Sequence, residues 1–225
     1  MTPQGSELVA ALDRLVEQHH LLKHPFYQAW SEGRLSAEAL KLYAVQYYKH
    51  VEAFPQHLLQ LMDRSEGEIH ELAKENFREE LDPAAPHPDL WRDFAHAVGV
   101  SDQEIDQAEP LEGIKTLIST YDEITRRRSI AAAVAAFYAY ESQVPEIASA
   151  KIKGLKAHYG VDSWKGLGYF AVHQVAEEKH REQWRGWLEA QSDIDADEVL
   201  SAAEAGLKAL WGALDACNID PPTCH

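Results

Sequence analysis

A twelve-residue run in the middle of the chain, residues 130–141, constrains the fold most. It reads IAAAVAAFYAYE and carries no charge before its last residue, so as a helix it is apolar on every side. Such a helix is buried on most of its faces, and other elements must surround it. Its last residue, Glu141, is a candidate metal ligand, because a buried carboxylate is costly unless it is paired or binds a metal. A tyrosine hydrogen bond or a solvated helix end is the competing interpretation of Glu141.

The remaining apolar residues recur with helical spacing, and no stretch alternates with the period of two expected of a strand. Pro55 is expected to kink a long helix, and Ser101 with Glu104 forms the pattern of a capping box. The sequence therefore predicts an all-α bundle in a single domain, residues 1–225. The predicted helices, besides a short one after Ser101, cover residues 6–23, 36–63, 66–81, 89–98, 111–128, 130–141, 146–159, 167–191 and 196–216.

Charge and composition exclude several classes of partner. The net charge of −16 repels nucleic-acid phosphates and anionic lipid headgroups. The sequence has no apolar run of roughly 18 residues and no signal peptide, so we expect a cytoplasmic protein. The two cysteines, Cys217 and Cys224, are expected in a C-terminal tail over residues 216–225, where neither could act as an interior nucleophile.

A second candidate site lies in the stretch AVHQVAEEKHREQWRGW, which contains His173, Glu177 and His180. On a helix these three positions lie within roughly 60° of one another, so their side chains share one face. The spacing of Glu177 and His180 is the one found in bundle-type di-iron carboxylate sites. A solvated face of a charged helix is the competing interpretation, because charged residues surround all three.

Glu80 and His87 form a third candidate pair around the proline-rich turn DPAAPHP. The prolines prevent the two residues from sharing a helix face, but a rigid turn after a helix end could bring both to one metal. Glu75, Glu79 and Asp82 compete for the carboxylate role. Alone, this pair would be interpreted as a solvated acidic helix end with an exposed histidine.

Together these candidates supply three carboxylates and three histidines and no thiolate. Oxygen and imidazole donors in this number favour a dinuclear iron or manganese site over zinc, which uses fewer ligands, or over magnesium and calcium, which use few histidines. The predicted metal ligands are Glu80, His87, Glu141, His173, Glu177 and His180.

The chain resembles the heme-oxygenase-like, thiaminase-type helical proteins in the segment HPFYQAWSEGRLSAEALKLYAVQYY. Within that superfamily the six-residue pattern is similar to that of the dimetal oxidases. The resemblance is greatest to the chlamydial protein associating with death domains and its bacterial relatives, which are para-aminobenzoate synthases, and it covers essentially the whole chain. It implies a heme-oxygenase-like bundle of seven to eight helices, a homodimer, a Fe/Fe or Mn/Fe centre, and O2 with an external reductant as co-substrates.

The resemblance also assigns roles to three further residues. Tyr27 matches the tyrosine that supplies the aromatic ring, Tyr140 matches a second active-site tyrosine, and Lys151 matches the lysine implicated as amino donor. Without the resemblance, Tyr27 would be interpreted as core packing and Lys151 as a surface lysine, and spacing alone does not choose between Lys151 and Lys153. Glu177 occupies a position at which the family has Asp or Glu, which leaves metal preference open. The implied activity consumes the protein's own side chains to make para-aminobenzoate for folate synthesis.

Four alternatives remain open at the level of the sequence. The same dimetal site could oxidise an external fatty acid or amino acid, although the presence of Tyr27 and Lys151 disfavours this. A thiaminase-like hydrolase would need an interior cysteine. Heme binding through His20 or His24 leaves the six-residue pattern unexplained, and nothing in the sequence indicates a death-domain interface.

Overall fold

The computed structural model describes the backbone of residues 3–220 and the side chains of residues 4–174 and 179–220. Within these residues every regular element is a helix, which confirms the all-α class. A 3-10 helix, Leu21–Lys23, separates the first two α-helices. The α-helices are α1 (Pro3–Gln18), α2 (Pro25–Ser31), α3 (Ala37–Arg64), α4 (Gly67–Glu80), α5 (His87–Ala97), α6 (Asp102–Gln107), α7 (Glu112–Arg127), α8 (Ile130–Glu141), α9 (Val144–His158), α10 (Trp164–Ala190) and α11 (Ala196–Cys217).

The described part of the chain has eleven α-helices, more than the expected seven to eight, and two of them, α2 and α6, are short. Local signals end most helices close to where they were predicted. The capping box of Ser101 and Glu104 starts α6, and Gly33, Gly99 and Gly160 follow helix ends with positive φ. The α-helix predicted over 6–23 ends earlier, at Gln18, and its last residues form the 3-10 helix before Pro25.

Helix α8 lies at the centre of the bundle, as its sequence predicts. It contacts α1, α7, α10 and α11, and all of its residues from Ala131 to Ala139 are buried. Its alanines allow the neighbouring helices to approach closely, and burying this apolar surface stabilises the fold. The helix therefore delivers its last residue, Glu141, which is only 1% exposed, into the protein interior.

Helix α3 continues through Pro55 for 28 residues and presents an aromatic face to the interior. Tyr43, Tyr47, His50 and Phe54 follow one another at spacings of four, three and four residues, so they share this face. All four are buried. Each ring contacts the ring of the next of these residues along the helix, with ring centroids 5.1 to 6.0 Å apart. One helix thus lines much of the interior with tyrosine and histidine.

The structure corrects one expectation about the C-terminus. Cys217 is the last residue of α11 and is completely buried, so it belongs to the core and not to a tail. Burial raises the pKa of the Cys217 thiol to about 12, because the thiolate would be desolvated there. The thiol is therefore not an activated nucleophile. Cys224 lies outside the described residues. Within residues 3–220, no helix is both long and apolar enough to cross a membrane.

Candidate metal centre and active site

Three of the predicted metal ligands meet in one buried cluster. Glu80, His87 and His173 each offer a ligand atom, and these atoms all lie within 4.8 Å of one another. Glu80 ends α4 and His87 begins α5, and the turn between them brings Nδ1 of His87 to 2.9 Å from Oε2 of Glu80. The three side chains are 4 to 6% exposed. The proline-rich turn therefore does bring Glu80 and His87 together, and α10 adds His173.

The backbone of α10 fixes the orientation of His173. Its Nδ1 lies 2.6 Å from the carbonyl oxygen of Tyr169, one turn earlier. Nδ1 is therefore the protonated nitrogen, and Nε2 carries the lone pair that a metal requires. Burial, followed by the neighbouring His87, lowers the pKa of His173 well below its ordinary value. The ring is consequently neutral and able to bind a metal.

Glu141 and His180 form the other half of the predicted set. Oε1 of Glu141 accepts a hydrogen bond of 3.0 Å from Asn76, and Oε2 accepts one of 2.6 Å from the indole N–H of Trp184. Nδ1 of His180 lies 3.9 Å from Oε2 of Glu141. His180 also contributes to lowering the pKa of His173, so the two halves lie near each other. The side chain of the sixth predicted ligand, Glu177, lies outside the described residues.

A second group of buried side chains contains Tyr27, Tyr43 and Lys151. Lys151 on α9 donates a hydrogen bond of 2.6 Å to the hydroxyl of Tyr43, and that hydroxyl lies 3.0 Å from the hydroxyl of Tyr27. The Lys151 amine is 5.1 Å from the centre of the Tyr27 ring. Tyr43 was not predicted to be functional, and it links the predicted ring donor to the predicted amino donor.

The environment of Lys151 is apolar and aromatic. Its side chain is 5% exposed, and the amine also lies within 6 Å of the rings of Tyr47 and Phe170. Burial lowers the pKa of Lys151 to about 7, so a large fraction of the amine is neutral at physiological pH. Lys153, which spacing alone could not exclude, is exposed. The structure thus distinguishes the two lysines on physical grounds.

A narrow cavity joins this group to the ligand cluster. Its volume is about 20 Å³, which is room for one or two water-sized molecules. Its wall includes side chains from both groups: Tyr27 and Lys151 from the first, His173 from the second, and also Tyr47, Tyr140, Tyr169 and Phe170. Tyr140 lies next to Glu141 in sequence, and its hydroxyl is 3.3 Å from that of Tyr47. The predicted second tyrosine therefore shares this cavity with the candidate reacting groups and a candidate ligand.

Both ring nitrogens of His24 are engaged in the structure. Nδ1 accepts the backbone N–H of Phe26 at 3.0 Å, and Nε2 lies 3.0 Å from a carboxylate oxygen of Asp215. His24 is completely buried and begins the helix that carries Tyr27. Its role is therefore to position α2, and neither nitrogen is available to a heme iron.

Residues 41–211 match the family of iron-containing redox enzymes. Because the match spans most of the sequence, the chain belongs to that family. A curated relative, the 4-aminobenzoate synthase of Chlamydia muridarum, is 37% identical over 214 residues, which are 95% of this chain and 90% of the relative. The 4-aminobenzoate synthase of Nitrosomonas europaea is 35% identical over 216 residues, which are 91% of this chain and 88% of the relative.

The fold is also found in solved structures. A TenA homologue from Pseudomonas syringae pv. tomato superposes with a TM-score of 0.80, at 16% identity, over 94% of this chain and 91% of that chain. This likeness confirms the thiaminase-type helical fold predicted from the N-terminal segment. The family and its relatives confirm the resemblance inferred from the sequence.

Proposed function

We propose that the buried carboxylates and histidines hold a dinuclear centre of two iron ions or of one manganese and one iron. Glu80, His87 and His173 fit this role because they are buried, close together and of the oxygen and imidazole type that such metals bind. Glu141 and His180 lie 3.9 Å apart and form the other half of the set. Glu177 belongs to α10, the helix that also carries His173 and His180. Membership in an iron-containing redox family supports this metal assignment.

We further propose that the chain makes 4-aminobenzoate from its own side chains. The name of the Chlamydia muridarum relative, 4-aminobenzoate synthase, supports this product. The ring would come from Tyr27 and the nitrogen from Lys151. The dimetal centre, when bound, would supply the oxidising power to use O2 with electrons from an external reductant. The Cα–Cβ bond of Tyr27 would break, its Cβ would become the carboxylate, and the ring C–O bond would be replaced by a C–N bond.

The residues around Tyr27 can perform the nitrogen transfer. The neutral amine of Lys151 is a nucleophile, and the hydroxyl of Tyr43 contacts both this amine and the hydroxyl of Tyr27. Tyr43 is therefore placed to pass a proton between the two as the ring loses its oxygen. The amine would condense with the ring after O2 has oxidised it, and the ring oxygen would leave as water. Hydrolysis would then break the bond between Nζ and Cε of Lys151 and leave Cε as an aldehyde. Burial keeps bulk water away from the ring during these steps.

The single observation that carries this proposal is the size of the space between ring, amine and ligands. At about 20 Å³, the cavity holds neither a fatty acid nor an amino acid, so an external substrate has no place in it. A phenol ring is nevertheless present, because Tyr27 lies on the cavity wall. The small volume of the cavity and the ring on its wall support the proposal that the chain itself supplies the substrate.

The direct test omits every small organic substrate. Protein carrying both ring-labelled tyrosine and ε-15N-lysine is loaded with iron, with or without manganese, and given reductant and O2. We expect 4-aminobenzoate that contains both labels, at no more than about one molecule per chain, because each chain has one Tyr27. Mass spectrometry of the product and of the spent protein measures both the labels and the side chains lost.

Two variants sharpen this test. Tyr27→Phe should give less than about 1% of the product, because its ring lacks the oxygen that is exchanged for nitrogen. Tyr121→Phe is the matched control, since Tyr121 is equally buried but lies outside the cavity, and it should give normal amounts. Unlabelled product, or labelled product from Tyr27→Phe, would contradict the proposal and point to another source of the ring.

The surroundings of His180 lead to a separate prediction about metal affinity. Its Nε2 lies 2.9 Å from Oε2 of Glu79, and Glu79 is in turn held by Lys179 at 3.1 Å. A carboxylate in this place orients a metal-binding imidazole, and losing such a partner typically weakens binding tenfold or more. Glu79→Ala should therefore raise the Kd for the more weakly bound metal about tenfold. Calorimetric titration of the metal-free protein with Mn²⁺ measures this.

Glu75→Ala is the control for that measurement. Glu75 also accepts a hydrogen bond from Lys179, at 2.7 Å, but it is paired with Gln183 and not with His180. Its removal changes the local charge as much as the removal of Glu79 does. Equal loss of affinity in both variants would show a general charge effect and would refute an orienting role for Glu79.

A further inference from the structure

His50 is a buried histidine that the proposed reaction does not yet use. It lies on the inner face of α3 and is completely buried. Neither of its ring nitrogens has a hydrogen-bond partner among the side chains and backbone that the structure describes. A buried polar group without a partner costs about 1 to 3 kcal/mol, and a ligand in an adjoining cavity would remove that cost.

The ring of His50 faces a second small cavity on the far side of Tyr140 and Tyr169 from Lys151. This cavity has a volume of about 10 Å³, which is room for roughly one water-sized molecule. Two of the candidate metal ligands, Glu80 and His173, contribute to its wall. A molecule held here would therefore lie beside the proposed metals and within the same space as the imidazole of His50.

Aromatic neighbours leave His50 few other directions in which to bond. Its ring contacts Tyr47, Phe54, Tyr121 and Tyr140, with centroid distances of 5.2 to 6.0 Å. Burial lowers the pKa of His50 to about 3, so the ring is neutral and offers one N–H donor and one acceptor. A molecule bound in the cavity would satisfy them.

We infer that this cavity is a binding site for a small exogenous ligand of the metals, such as dioxygen, water or azide, and that His50 hydrogen-bonds that ligand. The inference rests on the proposed dimetal centre, because Glu80 and His173 place the metals at the cavity wall. The two cavities thus have different roles. The small oxidant binds in the cavity lined by His50, and the ring of Tyr27 and the amine of Lys151 line the other cavity. Tyr140, Tyr169 and His173 form the partition, since they line both cavities.

Azide is the probe that tests this inference without relying on product formation. Its binding to the oxidised, iron-loaded protein is followed by the ligand-to-metal absorption band. His50→Leu should weaken azide binding at least about tenfold, because a hydrogen bond to a charged ligand is lost. His50→Gln retains a donor and should recover most of the affinity.

His57→Leu is the matched control. His57 lies two turns further along the same face of α3, is 2% exposed, and does not line the cavity. It should leave azide affinity and iron content unchanged. If iron is bound normally but azide affinity is the same in all four proteins, or falls equally in His50→Leu and His57→Leu, the role of His50 is refuted. Failure to bind iron at all would instead contradict the dimetal centre itself.

Discussion

A Lys151→Met variant is expected to form no detectable 4-aminobenzoate and yet to be more stable than the unmodified chain. Methionine fills a similar volume without a charge or a nitrogen, so the cavity is retained but the amino donor is lost. Among the described residues that line the cavity next to Tyr27, Lys151 is the only one with an amine side chain. Product from this variant would show that the nitrogen comes from elsewhere.

The gain in stability follows from the pKa of Lys151. The amine has a pKa of about 7 in the folded chain and 10.5 as its ordinary value, so the unfolded chain binds a proton that the folded chain does not. The cost to folding grows as the pH falls from 10.5 to 7 and is constant below 7. At pH 7 it is on the order of 4 kcal/mol, from about 1.4 kcal/mol for each pKa unit. The lost hydrogen bond to Tyr43 offsets about 1 kcal/mol of that gain.

Urea unfolding at two pH values measures this effect. Lys151→Met should exceed the unmodified chain in free energy of unfolding by a few kcal/mol at pH 7, and the difference should shrink toward zero near pH 10.5. Lys153→Met, at an exposed position two residues later, should change stability little at either pH. A difference that does not depend on pH would mean that Lys151 keeps its ordinary pKa in the folded chain.

Most of the helices and the candidate ligands could be predicted because their signals are local. The apolar run of α8 predicts its own burial, and the capping box of Ser101 predicts the start of α6. The approach of Glu80 to His87 was recognisable as a possibility because the prolines between them rigidify a short turn. In each case the residues involved are close in sequence, and the chain geometry limits where they can be.

The residues that could not be predicted act through contacts between distant segments. In the sequence, Glu79 is only one of several competing carboxylates, and its contact with His180 depends on the packing of α10 against α4. Tyr43 and Lys151, which are hydrogen-bonded, are 108 residues apart in sequence. The expectation for Cys217 was wrong because an end of the chain was taken to be solvated, whereas α11 carries this residue into the core. The spacing of His50 after Tyr43 and Tyr47 was a usable signal, since the three recur on one helix face.

A His173→Ala variant is expected to lose both metal and product. His173 belongs to the close cluster with Glu80 and His87, and the Tyr169 carbonyl already holds its ring in the metal-binding orientation. Alanine offers no ligand, and the two remaining residues of the cluster cannot complete the coordination of one ion. The metal content should fall from about two ions per chain to one or fewer, and 4-aminobenzoate should fall below detection.

Elemental analysis after loading with iron and manganese gives the metal content, and His96→Ala is the control. His96 is on the surface, 43% exposed in its side chain, and pairs with Asp102 away from the candidate ligands. It should retain both ions and full product. His173 also lines both cavities, so an added ligand such as imidazole that refills the gap should restore metal before it restores product. Full metal content in His173→Ala would remove this residue from the ligand set and shift the centre toward Glu141 and His180.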